Sequence, residues 1–167
     1  MDIGVIMIIH AFDPGETTGT VTVDIQQMDD GYVMHPILFG EIEYTKMASY
    51  LSVQILPLLE PTHIIAVEQF IIYPGGRASG WDQAKTSQLI GQIKALAQQQ
   101  QCGYVEYMPA ITKRTTNTLI NTLMCSDVII PKSRHIRDAF RVAITHVRKT
   151  DINFHQWLIR EEAKRIL

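Results

Sequence analysis

Cysteine is scarce in this chain: Cys102 and Cys125 are the only two in 167 residues. They make no short metal-binding spacing and no disulfide framework, so both read as half-buried thiols. Excess charge is missing as well, the formal net charge being −2. Long hydrophobic runs are absent. The apolar stretch "IGVIMII" near the N-terminus is far shorter than the roughly 20 residues a bilayer span needs. It carries Asp2 and no Lys or Arg, which makes a poor signal peptide. There is no internal repeat, linker or low-complexity tract beyond "QQQQ" at 98–101. Together these absences argue against a membrane protein and a disulfide-stapled secreted one, and a cytoplasmic location is expected.

What is present fits a single folded domain over residues 1–167, with 46% hydrophobic and 19% charged residues. The balanced net charge hides a segregation. Residues 1–60 hold nine acids and one base, Lys46, whereas residues 61–150 hold five acids and eleven bases. Such a chain can offer one basic face to a polyanion, although scattered surface charge would give the same totals.

The hydrophobic pattern predicts an element order of βββαβαβααα. Residues 3–12 read as a doubly buried strand, "GTVTVDIQQM" as an alternating one, and "YVMHPILFGEIE" as a third after the "DDG" turn. Residues 45–59 have helical spacing until Pro57. "HIIAVEQF" and "CGYVEYMP" predict the fourth and fifth strands. Helices are expected over 81–100, 110–125, 134–149 (capped by Ser133) and 151–165. A meander followed by two crossover units gives an α/β domain: a mixed five-stranded sheet flanked by helices, the order of the ribonuclease-H-like fold.

In that topology four polar residues converge. Asp13 ends strand one and Glu68 ends strand four, which would be parallel neighbours. His135 and Asp138, three apart on one helix, share a face. Three carboxylates and an imidazole suit two Mg²⁺ ions, which take oxygen ligands and share them with water and phosphate; Mn²⁺ could substitute. His135 could be a ligand, a general base or a proton shuttle. Each residue also has a plainer reading. Asp13 before Pro-Gly can be a turn former, Glu68 a solvated strand end, and "HIRD" an exposed helix face.

The residues also resemble a known family, the RuvC-type Holliday junction resolvases. "FDPGETTG" is similar to their opening D-P-G-x-x-x-G stretch, and "PTHIIAVEQF" to their strand ending in Glu-Gln. "KTSQLIGQIKAL", "VEYMPAITKRTT" and "HIRDAFRVAITH" follow in the family's order, so the resemblance runs to about residue 149. It implies Asp13, Glu68, His135 and Asp138 as the metal-binding catalytic set. It also implies paired nicking of four-way DNA junctions, with other branched DNA as further substrates, by a homodimer. His135 stands where many members have Asp. The loop "IIYPGGRASGWDQ" departs from the usual one.

Lys85, Lys113, Arg114, Lys132, Arg134 and Arg137 are the expected phosphate contacts. Phe70 and Tyr73 can stack on unpaired bases or anchor their loop in the core. The face of helix 81–100 with Leu89, Gly91, Ile93 and Leu96 can form the dimer interface or pack on its own sheet. Two other enzyme classes fit parts of the pattern. One is the YqgF-like RNA-processing nucleases. The other is the actin-like ATP-binding domain, whose first phosphate turn "DPGETTG" resembles. A DNA-binding protein without catalysis is disfavoured, because clustered carboxylates repel DNA.

Overall fold

The computed structural model describes residues 4–71, 80–125 and 127–164. Three long strands open the chain: β1 (Gly4–Asp13), β2 (Thr17–Met28) and β3 (Gly31–Glu43). Helix α1 (Tyr44–Tyr50) leads to β4 (Ile64–Glu68), then α2 (Gly80–Gln99) to β5 (Gly103–Tyr107). Four helices complete it: α3 (Pro109–Thr112), α4 (Asn117–Leu123), α5 (Arg134–Thr150) and α6 (Ile152–Ala163). The sheet order is β3-β2-β1-β4-β5, antiparallel through the meander and parallel from β1 to β4 to β5. This is the expected mixed sheet of the ribonuclease-H-like fold. Thr22 opposes Leu38 while Val23 opposes Pro36, so Ile37 is the extra residue of a bulge. Pro36, which has no N–H to give, is tolerated because β3 is an edge strand.

The strand period of two sorts the core into two layers. Ile9 and Ala11 face the layer built with Phe140, Val142, Ala143 and Ile144 of α5. Phe12, Ile65 and Val67 face the other, with Met47 of α1 and Leu89, Ile93 and Ala97 of α2. Leu89 and Ile93 are therefore fully buried against the chain's own sheet and are not available to a second copy. Leu96 is partly buried beside them, and Gly91 looks into open space.

Two predicted helices are broken. The segment over 45–59 changes pitch, from α1 to a π turn (Leu51–Ile55) and a 3-10 turn (Leu56–Leu58). Pro57 lacks an N–H and its ring crowds the carbonyl four residues back, so the α ladder cannot run through it. The helix expected over 110–125 divides into α3 and α4. Thr116 is extended, and its hydroxyl accepts from the Leu119 N–H at 3.2 Å, starting α4 afresh. Lys113 and Arg114 thus lie in the turn between two short helices. Ser133 caps α5 as expected, its oxygen accepting from Ile136 N–H.

Helix α6 closes the far end of the meander. The Trp157 indole lies on Gly31, where a Cβ would sit 2.5 Å from Nε1. Tyr32 meets Phe154 edge-on, with ring centres 5.0 Å apart. Cys102 and Cys125 are both half-buried free thiols.

Candidate active site

Asp13 and Glu68 end the parallel neighbours β1 and β4, where the sheet opens beneath the first turn of α5. The Asp13 side chain is 15% exposed, and its Oδ2 lies 3.1 Å from Nδ1 of His135. The turn after Asp13 is held instead by Thr18, whose hydroxyl oxygen bonds Gly15 at 3.3–3.4 Å. Asp13 instead directs its carboxylate to His135. Glu68 accepts a 2.5 Å hydrogen bond from the Thr112 hydroxyl. Asp138 is buried on α5 and held by Arg141, with Arg134 Nε 3.5 Å away.

Glycine 19 makes the assembly possible. It pairs with Asp13 across β1 and β2, and a Cβ there would lie 1.9 Å from the His135 carbonyl oxygen. With hydrogen in that place, the start of α5 rests directly on the sheet backbone. That contact sets His135 against Asp13 and brings Asp138, one turn on, over the strand ends.

The carboxylates feel one another. Burial raises the Asp13 pKa from 3.8 to about 6, aided by the negative charges of Glu68 and Asp138 and opposed by His135. Glu68 is also raised, first by burial and then by Asp138, against the Thr112 hydrogen bond and the Lys113 and Arg141 charges. Two carboxylates that lose charge readily, with the Asp138 charge beside both, are an electrostatic strain that a divalent cation would relieve.

Among the described residues no three His, Cys, Asp or Glu side chains form a ready-made metal cage. The donor chemistry nevertheless fits Mg²⁺, which is commonly held by one or two carboxylates and completed by water and substrate phosphate. Asp13 and Glu68 share a cleft of about 250 Å³ with Phe70, Pro109 and Lys113, open enough for such partners.

The remaining expected residues divide by location. Lys113 lines the carboxylate cleft, as does Phe70, which is half-buried and belongs to neither core layer. Lys132, Arg134 and Arg137 converge with Arg141 and Asn117 on an adjoining cleft of about 370 Å³. Arg114 lines a separate cleft beyond it. Lys85 stands over the Tyr44 ring at 5.8 Å on α2 and lines none of these clefts. Tyr73 lies outside the described residues.

Sequence reasoning misses Thr112 and Arg141. Arg141 donates from Nη1 to Asp138, from Nε to the Thr115 carbonyl at 3.0 Å and from Nη2 to Asn117 Oδ1 at 3.0 Å. A basic residue three positions after Asp138, inside the apolar run "AFRVAITHV", is the available signal.

Among solved structures, Thermus thermophilus RuvC matches with a TM-score of 0.69 and 15% identity, over 89% of this chain and 98% of that one. The same protein in complex with Holliday junction substrate matches equally. Fowlpox virus resolvase in complex with Holliday junction DNA gives 0.57 and 13%, over 87% of this chain and 99% of that one. The yeast mitochondrial Holliday junction resolvase Ydc2 gives 0.52 and 16%, over 95% and 84%. No protein-family model and no curated protein sequence matches the chain. At such low identity the likeness is one of architecture: the chain has the fold of the RuvC-type Holliday junction resolvases.

Proposed function

We propose that the chain is a metal-dependent, structure-selective endodeoxyribonuclease that resolves four-way DNA junctions by paired nicks. One observation carries the reading. Asp13 and Glu68 stand at the open end of two parallel strands with Asp138 close enough for its charge to act on both, beside a cleft lined by Lys132, Arg134, Arg137 and Arg141. An acidic cluster able to take metal, next to a basic groove able to take phosphate, is what phosphodiester hydrolysis requires. The resolvase fold, shared with proteins solved on Holliday junctions, supports branched DNA as the substrate.

Asp13, Glu68 and Asp138, with His135 at the edge, would hold Mg²⁺ or Mn²⁺, which when bound supplies water activation and charge neutralisation at the phosphodiester. The protein's own groups do the rest. Thr112 fixes the Glu68 carboxylate, and Arg141 fixes Asp138. His135, 43% exposed and bonded to Asp13 through Nδ1, can pass a proton between the cleft and solvent. Lys113 and the arginines of α5 seat the phosphate backbone, giving binding that weakens with salt. Phe70, which lines the cleft, would stack on a base unpaired at the crossover. A homodimer would match the two-fold symmetry of the junction and deliver the two nicks. With Leu89 and Ile93 committed to the core, its interface must use other surfaces.

The test is nicking of an immobile four-way junction, with linear duplex as control, in Mg²⁺, Mn²⁺ or EDTA. Paired, metal-dependent nicks that Asp13→Asn abolishes are expected. Folded protein that cuts no branched DNA with metal present would refute the proposal, and cleavage of structured RNA alone would indicate an RNA-processing nuclease.

A further inference from the structure

The active site leaves unused a second basic cleft on the far side of Arg141. Helix α5 carries Arg134, Arg137, Arg141, Thr145 and Arg148 at successive offsets of three, four, four and three, which places them on one face. The first half of this stripe lines the cleft beside Asp138. At its middle, Arg141 reaches the Thr115 carbonyl. Thr115 is also a wall of the second cleft, about 370 Å³, with Arg114, Thr145, Arg148, Lys149 and His155 of α6.

The chemistry of that cleft is one-sided. No carboxylate lines it, and among the described residues none of Arg114, Arg148 or Lys149 has an acidic partner within ion-pair distance. Arg148 Nε donates to His155 Nδ1 at 3.3 Å, which leaves the ring proton on Nε2 as a further donor. Three cations, an imidazole N–H and two threonines suit an anion. The continuity of the stripe says which kind. Arg134 and Arg148 are separated by about 21 Å along α5 at roughly 1.5 Å per residue. That is about six steps of a duplex at 3.4 Å per base pair.

We infer that the cleft between the α3–α4 turn, the C-terminal half of α5 and α6 is a second phosphate-binding site, holding the backbone of the duplex arm that leaves the active site. The inference rests on the nuclease reading and adds to it a contact about half a helical turn from the scissile phosphate. It also gives α6 a role beyond covering the core, through His155.

The experiment is fluorescence anisotropy of a labelled four-way junction in EDTA over a range of salt, with the full chain. Each phosphate contact adds about 0.9 to the slope of log affinity against log salt. Replacing Arg148→Gln together with Lys149→Gln is expected to lower the slope by about two and to weaken binding about tenfold or more at moderate salt. Arg148→Lys with Lys149→Arg, which keeps both charges, should retain the slope. Lys94→Gln, a cation removed from the opposite side of the sheet, should leave it unchanged. A glutamine double variant with wild-type affinity and slope would overturn the second site while leaving the nuclease reading intact. A wild-type protein that binds no DNA at any salt would overturn both.

Discussion

Replacing Gly19 by alanine puts one methyl group into the contact between sheet and helix on which the site depends. The new Cβ would sit 1.9 Å from the His135 carbonyl oxygen, 2.2 Å from its carbon and 2.9 Å from Ile136 N. Ordinary contact begins near 3.4 Å, so α5 and β2 must separate locally by about 1.5 Å. Both sides are backbone, and neither can swing away as a side chain would. Overpacking of this kind costs about 1–3 kcal/mol, equivalent to a drop in Tm of several degrees for a chain of this length. If the proposed nuclease function holds, the greater effect falls on the chemistry. His135 is the contacted residue and Asp138 follows one turn later, and misplacing reacting groups by about 1 Å lowers a rate by about 10²-fold. Thermal unfolding and single-turnover junction nicking measure the two effects separately. A Gly19→Ala protein that melts and cuts like wild type would show that α5 does not rest on β2 as described.

Other substitutions test the rest of the account. Gly91 lies mid-helix, and a Cβ added there would meet nothing within 4 Å, so Gly91→Ala should gain about 1 kcal/mol; a loss in denaturant melts would place another chain against it. Asp13 binds its proton more tightly folded, at about 6, than unfolded, at 3.8, so the native state loses stability as pH rises between those values. Above pH 6 the full penalty is about 3 kcal/mol, so Asp13→Asn should be more stable than wild type by up to that amount at pH 7.5 in EDTA and equal to it near pH 3.5. Urea melts at the two pH values decide it, and a variant less stable at pH 7.5 would refute the assignment. Arg141→Gln should cost about 1.5–3 kcal/mol in stability by freeing buried Asp138. It should also move the acidic limb of the rate–pH profile upward, because the Arg141 charge holds the Glu68 pKa down. An unmoved limb would remove Arg141 as a positioning residue. His10, buried between Thr22 and His63, has its pKa lowered from 6.5 to about 4 by burial and then by His63. Its contribution is complete above 6.5 and declines by about 3 kcal/mol as pH falls toward 4; a His10→Gln protein with the same pH dependence over that window would refute this.

Much of this architecture is legible in the chain because its signals are local. Strand alternation, the "DDG" turn and the Ser133 cap each depend on neighbours in sequence, and with β1 and β4 parallel they bring Asp13, Glu68, His135 and Asp138 to one edge. The supporting contacts are not local. Thr112 reaches Glu68 across 44 residues, and Asp13 meets His135 across 122. Which of several threonines or arginines makes such a contact is decided by packing, which periodicity does not encode. Gly19 illustrates the limit: within "DPGETTGT" it reads as part of a turn, whereas its role is to admit a helix that begins more than a hundred residues later. The face of α2 is open to two readings for the same reason, since Leu89 and Ile93 serve a sheet or a partner equally well until the sheet is in place.

The seat of Trp157 on Gly31 bears on the order in which the molecule is completed. The residue that seals the turn of the β2–β3 hairpin is synthesised over a hundred positions after the hairpin itself. Until then Tyr32 has neither Phe154 nor Trp157 against it, and the meander presents an unsealed apolar edge. Contacts so distant in sequence close late and slowly, and exposed edges are where nascent chains associate wrongly. Helix α6 acts as a late fastener of an element made well before it. Shortening the chain before residue 152 would leave every proposed catalytic residue in place and impair the yield of folded protein rather than the chemistry of the site.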